Sequence, residues 1–170
     1  MAGPVKGAGR ITRLALLTAI ALTIFLAEAQ IPALTAVPGV KLGLANIVTV
    51  YAMFALGPGD ALLVLSGRVF LGAVFSGQPM TLIYSAAGGF LSWCVLCLLR
   101  KLLTEKQIWL ASPVAAIFHN IGQLLAAAAV LHSWSVLAWL PYLVIAAVLA
   151  GLFTGVAAQA LLKRLERIQK

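Results

Sequence analysis

The chain has 170 residues, of which 63% are hydrophobic and 9% charged, and its mean hydropathy is +1.08. Water-soluble domains of this length do not have such a composition, whereas polytopic helical membrane proteins typically do. The formal charge of +8 does not indicate nucleic-acid binding, because the basic residues stand at the ends of apolar segments. Composition therefore predicts one small helical domain embedded in a lipid bilayer.

The apolar segments predict an all-α, six-helix transmembrane bundle over residues 11–163, between a flexible tail (1–10) and a basic tail (164–170). The first helix begins like a signal peptide, but Glu28 and the later spans favour an uncleaved helix. Gly57 and Pro58 end the second helix, and Asp60 is predicted to cap the third. The predicted helices cover 11–29, 41–56, 60–76, 80–99, 111–131 and 136–162.

Charge predicts the orientation of this bundle. Ten of the twelve Lys and Arg residues fall before or in the first turn of the first helix, between the fourth and fifth, or after the sixth. Since these regions lie on one side of a six-span bundle, the positive-inside rule predicts that both termini are cytoplasmic. The predicted location is a bacterial-type plasma membrane.

Two segments near the N-terminus have two interpretations each. Ala15 and Ala19 place small side chains four residues apart, so they either dock a partner helix or pack inside the bundle. The segment 30–40 is apolar and contains Pro32 and Pro38, so it is either a lid over the mouth of the bundle or a loop in the headgroup region.

The most informative residue is Arg68, in the middle of an apolar helix. A charge at the bilayer centre costs about 2.5–3.5 kcal/mol on insertion scales, so it needs a partner or a role. At a rise of ~1.5 Å per residue, Arg68 and His119 lie ~12 Å from the inner ends of their predicted helices, and Asn46 lies ~15 Å from its own. Gln123 is one turn from His119. Glu28 is predicted near the outer end of the first helix, so no carboxylate is predicted at the depth of Arg68.

Two interpretations of this polar layer follow. In the structural one, Arg68 hydrogen-bonds to carbonyls, to Asn46 or to Gln123. In the functional one, Arg68 and Lys41 bind an anionic ligand, a carboxylate or a phosphate, whose polar edge the neighbouring amides fix. The candidate ligand-binding residues are Glu28, Lys41, Asn46, Arg68, His119, Asn120 and Gln123.

Neither a metal nor a cofactor is predicted. His119 has no second His or carboxylate at ligand spacing, which favours a core histidine. Cys94 and Cys97 form a C-x-x-C without a second pair, which favours small apolar residues.

Three motifs carry a resemblance to a known family: Glu28-Ala-Gln-Ile-Pro32, Lys41-Leu-Gly-Leu-Ala-Asn46 and His119-Asn-Ile-Gly-Gln123. The chain resembles the Gx transporter family, also named heptaprenyl diphosphate synthase component I. That family looks related to the substrate-binding (S) components of energy-coupling-factor vitamin transporters. The resemblance implies a six-helix bundle and a separate transmembrane coupling subunit with ATPases.

No enzyme is predicted. The chain lacks a P-loop, and its single aspartate, Asp60, cannot form the aspartate-rich clusters of a prenyl diphosphate synthase. Two functional hypotheses remain. The protein is either a binding and transport subunit for a small anionic or cofactor-like metabolite, or an accessory membrane subunit of isoprenoid or quinone metabolism that binds a lipid tail.

Overall fold

The structure is a computed structural model that describes residues 7–30, 41, 43–104 and 107–168. All regular elements of these residues are helical, which confirms the predicted all-α class. The α-helices are α1 (Ala8–Glu28), α2 (Asn46–Ala55), α3 (Pro58–Ser76), α4 (Pro79–Leu102), α5 (Ile108–Val130) and α6 (Leu140–Ile168). A 3-10 helix, Trp134–Trp139, leads into α6.

Five of these helical segments are long and apolar enough to cross a membrane. The exception is α2, whose 10 residues extend ~15 Å, about half of a ~30 Å hydrocarbon core. α1 begins at Ala8, inside the predicted N-terminal tail, and α6 continues to Ile168, through most of the predicted C-terminal tail.

The start of α2 and the cap of α3 differ from the sequence prediction. α2 begins at Asn46 rather than Lys41, because Gly43 adopts a φ of +80°, which no right-handed helix contains. The predicted Asp60 cap is wrong. Gly57 occupies the N-cap of α3, and Asp60 lies in the first turn, where its carboxylate pairs with Arg10 at 2.5 Å.

Helix α5 lies at the centre of the fold and packs most extensively on α4 and α6. Gly151 and Gly155 of α6 lie against the backbone of α5. On the other side of the bundle, α1 packs on α3, and Thr18 contacts Gly67. Toward one end, these helices enclose an apolar core. It contains Val50, Met53, Phe54, Ala61, Leu96, Ile108, Ala111, Ala115 and Ala158.

The predicted docking residues, Ala15 and Ala19, are exposed on the surface of α1. Their packing inside the described bundle is therefore excluded, and partner docking stays a prediction. The predicted lid, residues 31–40, lies outside the described residues.

Candidate functional site

The site is built around an irregular stretch of backbone that precedes α2, formed by Lys41 and residues 43–45. Glu28, at the end of α1, accepts hydrogen bonds from two of its backbone N–H groups. The Gly43 N–H lies 2.7 Å from Oε1 and the Leu44 N–H lies 2.9 Å from Oε2. Non-helical backbone inside a membrane protein requires such partners, because lipid offers none. The buried carboxylate thus holds this stretch in place.

The side chain of Gln123 binds the same stretch from α5. Its Oε1 accepts the Lys41 backbone N–H at 3.0 Å, and its Nε2 lies 2.6 Å from His119 Nε2. Because Oε1 is the acceptor, Nε2 is the amide donor, and His119 Nε2 must accept. This network assigns a neutral His119 with its proton on Nδ1, which lies against the backbone of Gly88.

Arg68 reaches this site from α3 and is 2% exposed. Its Nη2 lies 3.5 Å from Asn46 Oδ1, at the outer limit of a hydrogen bond, and its Nε has no partner among the described residues. Among the residues that the structure describes, this long contact is the only hydrogen bond that meets the structural interpretation of Arg68. A guanidinium in this position keeps donor capacity for a further acceptor.

The prediction that no carboxylate lies at the depth of Arg68 is wrong, because Glu28 shares its site. Glu28 is 6% exposed, and its charge acts on both Arg68 and Lys41 through space. The error arose because the prediction did not foresee that residues 43 and 44 bond to Glu28 at the end of α1. Both cations lie over the ring of Phe25, one turn before Glu28. The ring centroid is 3.7 Å from Lys41 Nζ and 6.0 Å from Arg68 Cζ.

The described charges of the site are two cations and one anion. The half-buried Lys41 ammonium lies between the opposite charge of Glu28 and the like charge of Arg68. Glu28 is already bonded to two N–H groups, so the net positive charge of the site favours the binding of an added anion.

Several buried polar side-chain atoms of the described residues have no hydrogen-bond partner, and some of them belong to this site. Most buried polar groups in proteins are paired, and each exception calls for a physical explanation. In the described part of the chain these atoms are Asn46 Nδ2, Thr49 Oγ1, Arg68 Nε, Ser92 Oγ, His119 Nδ1 and Asn120 Oδ1. Two of them, Asn46 Nδ2 and Arg68 Nε, are N–H donors on the Arg68–Asn46 pair itself, and they fit a ligand that offers oxygen acceptors.

The structure brings together most of the predicted candidates. Glu28, Lys41, Asn46, Arg68, His119 and Gln123 form one polar cluster through the contacts above. Asn120 differs, because its Nδ2 donates to the Leu143 carbonyl of α6 at 3.0 Å. The amide nitrogen of Asn120 therefore links α5 to α6.

Sequence reasoning missed two participants. Gly43 has no room for a side chain, since an added Cβ would lie 2.9 Å from His119 Cδ2 and 3.1 Å from Asn46 Nδ2. Its position inside the Lys41–Asn46 motif was the available signal. Phe25 gave no signal, because an aromatic residue in an apolar helix is ordinary. Cys94 and Cys97 are half-buried free thiols on α4, and no residue of the described ranges joins them or His119 in a metal-ligand group.

Long apolar helices around a buried charged cluster define the chain as a membrane protein with transmembrane helices. The family model for heptaprenyl diphosphate synthase component I matches residues 17–161, most of the chain, and the chain belongs to this family. No curated protein and no solved structure matches the chain.

Proposed function

We propose that the protein is a membrane-embedded binding subunit for a small molecule that carries an oxyanion, a carboxylate or a phosphate. The observation that supports this proposal best is the Nε of Arg68, a buried cation donor with no described partner. An unpaired donor on a charged group costs at least ~1–3 kcal/mol, and a ligand oxygen removes that cost.

A purely structural arginine would be paired more fully than Arg68 is. Replacing buried ionic groups by apolar ones of similar size is often neutral or stabilising, so stability alone gives little reason for Arg68. Recognition gives a reason. The fork of Arg68, the amide of Asn46 and the ammonium of Lys41 present donors to one region, on three different segments.

We further propose that binding serves transport, with energy supplied by a partner. The resemblance to S components supports a transmembrane coupling subunit with ATPases. The exposed Ala15 and Ala19 on α1 provide a surface where another helix can approach closely. Catalysis is not part of this proposal, because the polar cluster pairs His119 with an amide rather than with an acid or a nucleophile.

The family's name favours a second function, an accessory role in prenyl diphosphate synthesis. A diphosphate would meet the same donors, and its prenyl tail would lie between helices. Both functions therefore share an oxyanion at Arg68, and the ligand itself distinguishes them.

Native mass spectrometry of the purified protein tests the proposal. We expect a bound small molecule on the wild-type protein and its loss from Arg68→Gln. The matched control is Arg100→Gln, which removes the same charge at an exposed position of α4 and should keep the ligand. A water-soluble anion supports transport, and a polyprenyl or quinone lipid supports the accessory role. A ligand that Arg68→Gln retains in full, on a folded protein, contradicts the proposed site.

The proposed topology has six crossings and cytoplasmic termini, with α2 and the stretch before it together forming one crossing. Single cysteines, introduced after removal of Cys94 and Cys97, test it by their access to an impermeant reagent. Labels at Gly7, Thr104 and Arg167 should be cytoplasmic, and labels at Gln78 and Ser133 external. An odd number of crossings contradicts the topology.

A further inference from the structure

Glu28 occupies a backbone site built for an anion. Gly43, with its left-handed φ of +80°, turns its N–H and that of Leu44 toward one carboxylate, just before the first residue of α2. Successive N–H groups in such a turn form a concave anion-binding nest, and the positive end of the 10-residue helix that follows adds to it.

A second, independent observation points to a ligand in the same place. Asn46, the first residue of α2, has an unpaired Nδ2, and its Oδ1 contacts Arg68, whose Nε is also unpaired. Asn46 is 5% exposed and Arg68 is 2% exposed. Two buried donors therefore lie beside a nest that the chain's own carboxylate fills.

We infer that Glu28 is a tethered occupant of an anion site, and that the oxyanion of an external ligand competes with it for the nest and for Arg68. This inference rests on the proposed function, because both concern the site that Arg68 serves. Because of this competition, Glu28 lowers the affinity for the ligand. Its carboxylate must leave or share its N–H partners when a ligand binds.

The charge distribution supports competition over cooperation. Arg68 and Lys41 act on Glu28 as opposite charges, and the structure records no direct ion pair between them among the described residues. A ligand anion attracted by the same two cations would be repelled by Glu28 at short range. Removal of that repulsion, at an effective dielectric constant of about 20, corresponds to about a tenfold gain in affinity or more.

The variant Glu28→Gln tests this inference, with sodium phosphate and sodium acetate as probes at constant ionic strength. The amide keeps an oxygen acceptor for one backbone N–H, so the stretch before α2 retains one bond. We expect Glu28→Gln to bind these anions about tenfold more tightly or better, measured by ligand-induced shifts of the melting temperature. Asp60→Asn is the matched control, because it removes one carboxylate at the far end of α3 and should leave affinity unchanged.

Three variants separate this inference from the proposed function. If Arg68→Gln loses anion binding while folded Glu28→Gln binds as the wild type or more weakly, the proposed function holds and the tethered-occupant inference is wrong. If neither the wild type nor Glu28→Gln binds either anion, both are wrong. A tighter Glu28→Gln whose gain disappears in the double variant with Arg68→Gln supports both.

Should Glu28→Gln not fold, the wild-type protein itself decides the question. Infrared difference spectra recorded with and without phosphate report on carboxylates without interference from the probe. We expect the carboxylate stretching band to shift on phosphate addition in the wild type and equally in Asp60→Asn. A carboxylate region that phosphate leaves unchanged, while the melting temperature rises, overturns the inference.

Discussion

The two ends of α2 are buried equally well but in opposite ways. Its first turn carries Asn46 and Thr49, each with an unpaired polar atom, whereas its later turns carry Val50, Met53 and Phe54 in the apolar core. The apolar end gains stability from packing. The polar end gains nothing comparable from groups that lack partners, and this supports the proposal that it binds a ligand.

Helix α5 is also divided into an apolar end and a polar end, so this division is a feature of the bundle and not of α2 alone. Ile108, Ala111 and Ala115 lie in the apolar core, and His119 and Gln123 belong to the polar cluster. Changes at the apolar end should therefore alter stability alone, while changes at the polar end should alter binding. Each prediction below tests one side of this division, or a polar residue that is expected to serve both stability and binding.

The largest effect is expected at the apolar end, from Met53→Ala. Met53 is fully buried, and truncating such a side chain costs about 2–5 kcal/mol of unfolding free energy, because a cavity remains. Reversible unfolding in mixed detergent micelles measures this loss. Leu102→Ala, at a residue 77% exposed, is the control and should change little. Weaker ligand binding by the folded Met53→Ala protein would break the division.

Gln123→Leu tests a residue of the polar cluster that is expected to serve both binding and stability. The replacement has a similar shape but leaves the Lys41 N–H and His119 Nε2 without their partner, at about 1–3 kcal/mol for each buried group. We expect lower stability and weaker binding together, by the same unfolding and binding assays. Gln30→Leu, at an exposed position, serves as control. A loss of stability with intact binding would make Gln123 structural only.

The sequence was sufficient to predict the helical class, the five membrane-length helices and most members of the polar cluster. Apolar runs of about 20 residues and a single arginine within them are strong signals, because lipid tolerates few alternatives. The contact between Glu28 and residues 43–44 was beyond sequence reasoning. It depends on where a non-helical backbone re-enters the bundle, and Gly43 alone, among 15 glycines, does not reveal that.

The contact between Asn120 and α6 could not be predicted from the sequence for a related reason. Its neighbour His119 faces Gln123, but one residue further along α5 the direction turns by about 100°, which brings the Asn120 amide to α6. Depth along a helix was predictable from spacing. The face that each residue presents depended on the arrangement of the neighbouring helices, and the sequence does not state it.

At the polar end, Arg68→Lys is expected to weaken ligand binding by about tenfold or more. The change keeps a positive charge but removes the planar fork that can hold both oxygens of an oxyanion. Stability should not fall, because the described contact of Arg68 is a single long hydrogen bond. Equilibrium binding of the co-purified ligand measures the effect, with Arg100→Lys as control. Unchanged affinity in Arg68→Lys would indicate that only charge matters there.

The smallest effect is expected for Lys41→Gln, which should slow ligand association a few-fold and reduce its salt dependence, with little change in dissociation. Lys41 is half-buried and lies over Phe25, where its charge can attract an anion without the close pairing available to Arg68.

The pH dependence of the wild type follows from the same position. The Lys41 ammonium attracts an anion only while it is protonated, so its contribution depends on pH. Association should therefore slow at alkaline pH, when Lys41 loses its proton, and Lys41→Gln should lack this step. Stopped-flow association rates at several pH values and ionic strengths measure both effects. Lys101→Gln, an exposed lysine at the end of α4, is the control and should keep the wild-type profile. A faster dissociation of Lys41→Gln with unchanged association would place Lys41 in direct contact with the ligand, and the attraction would then belong to Arg68 alone.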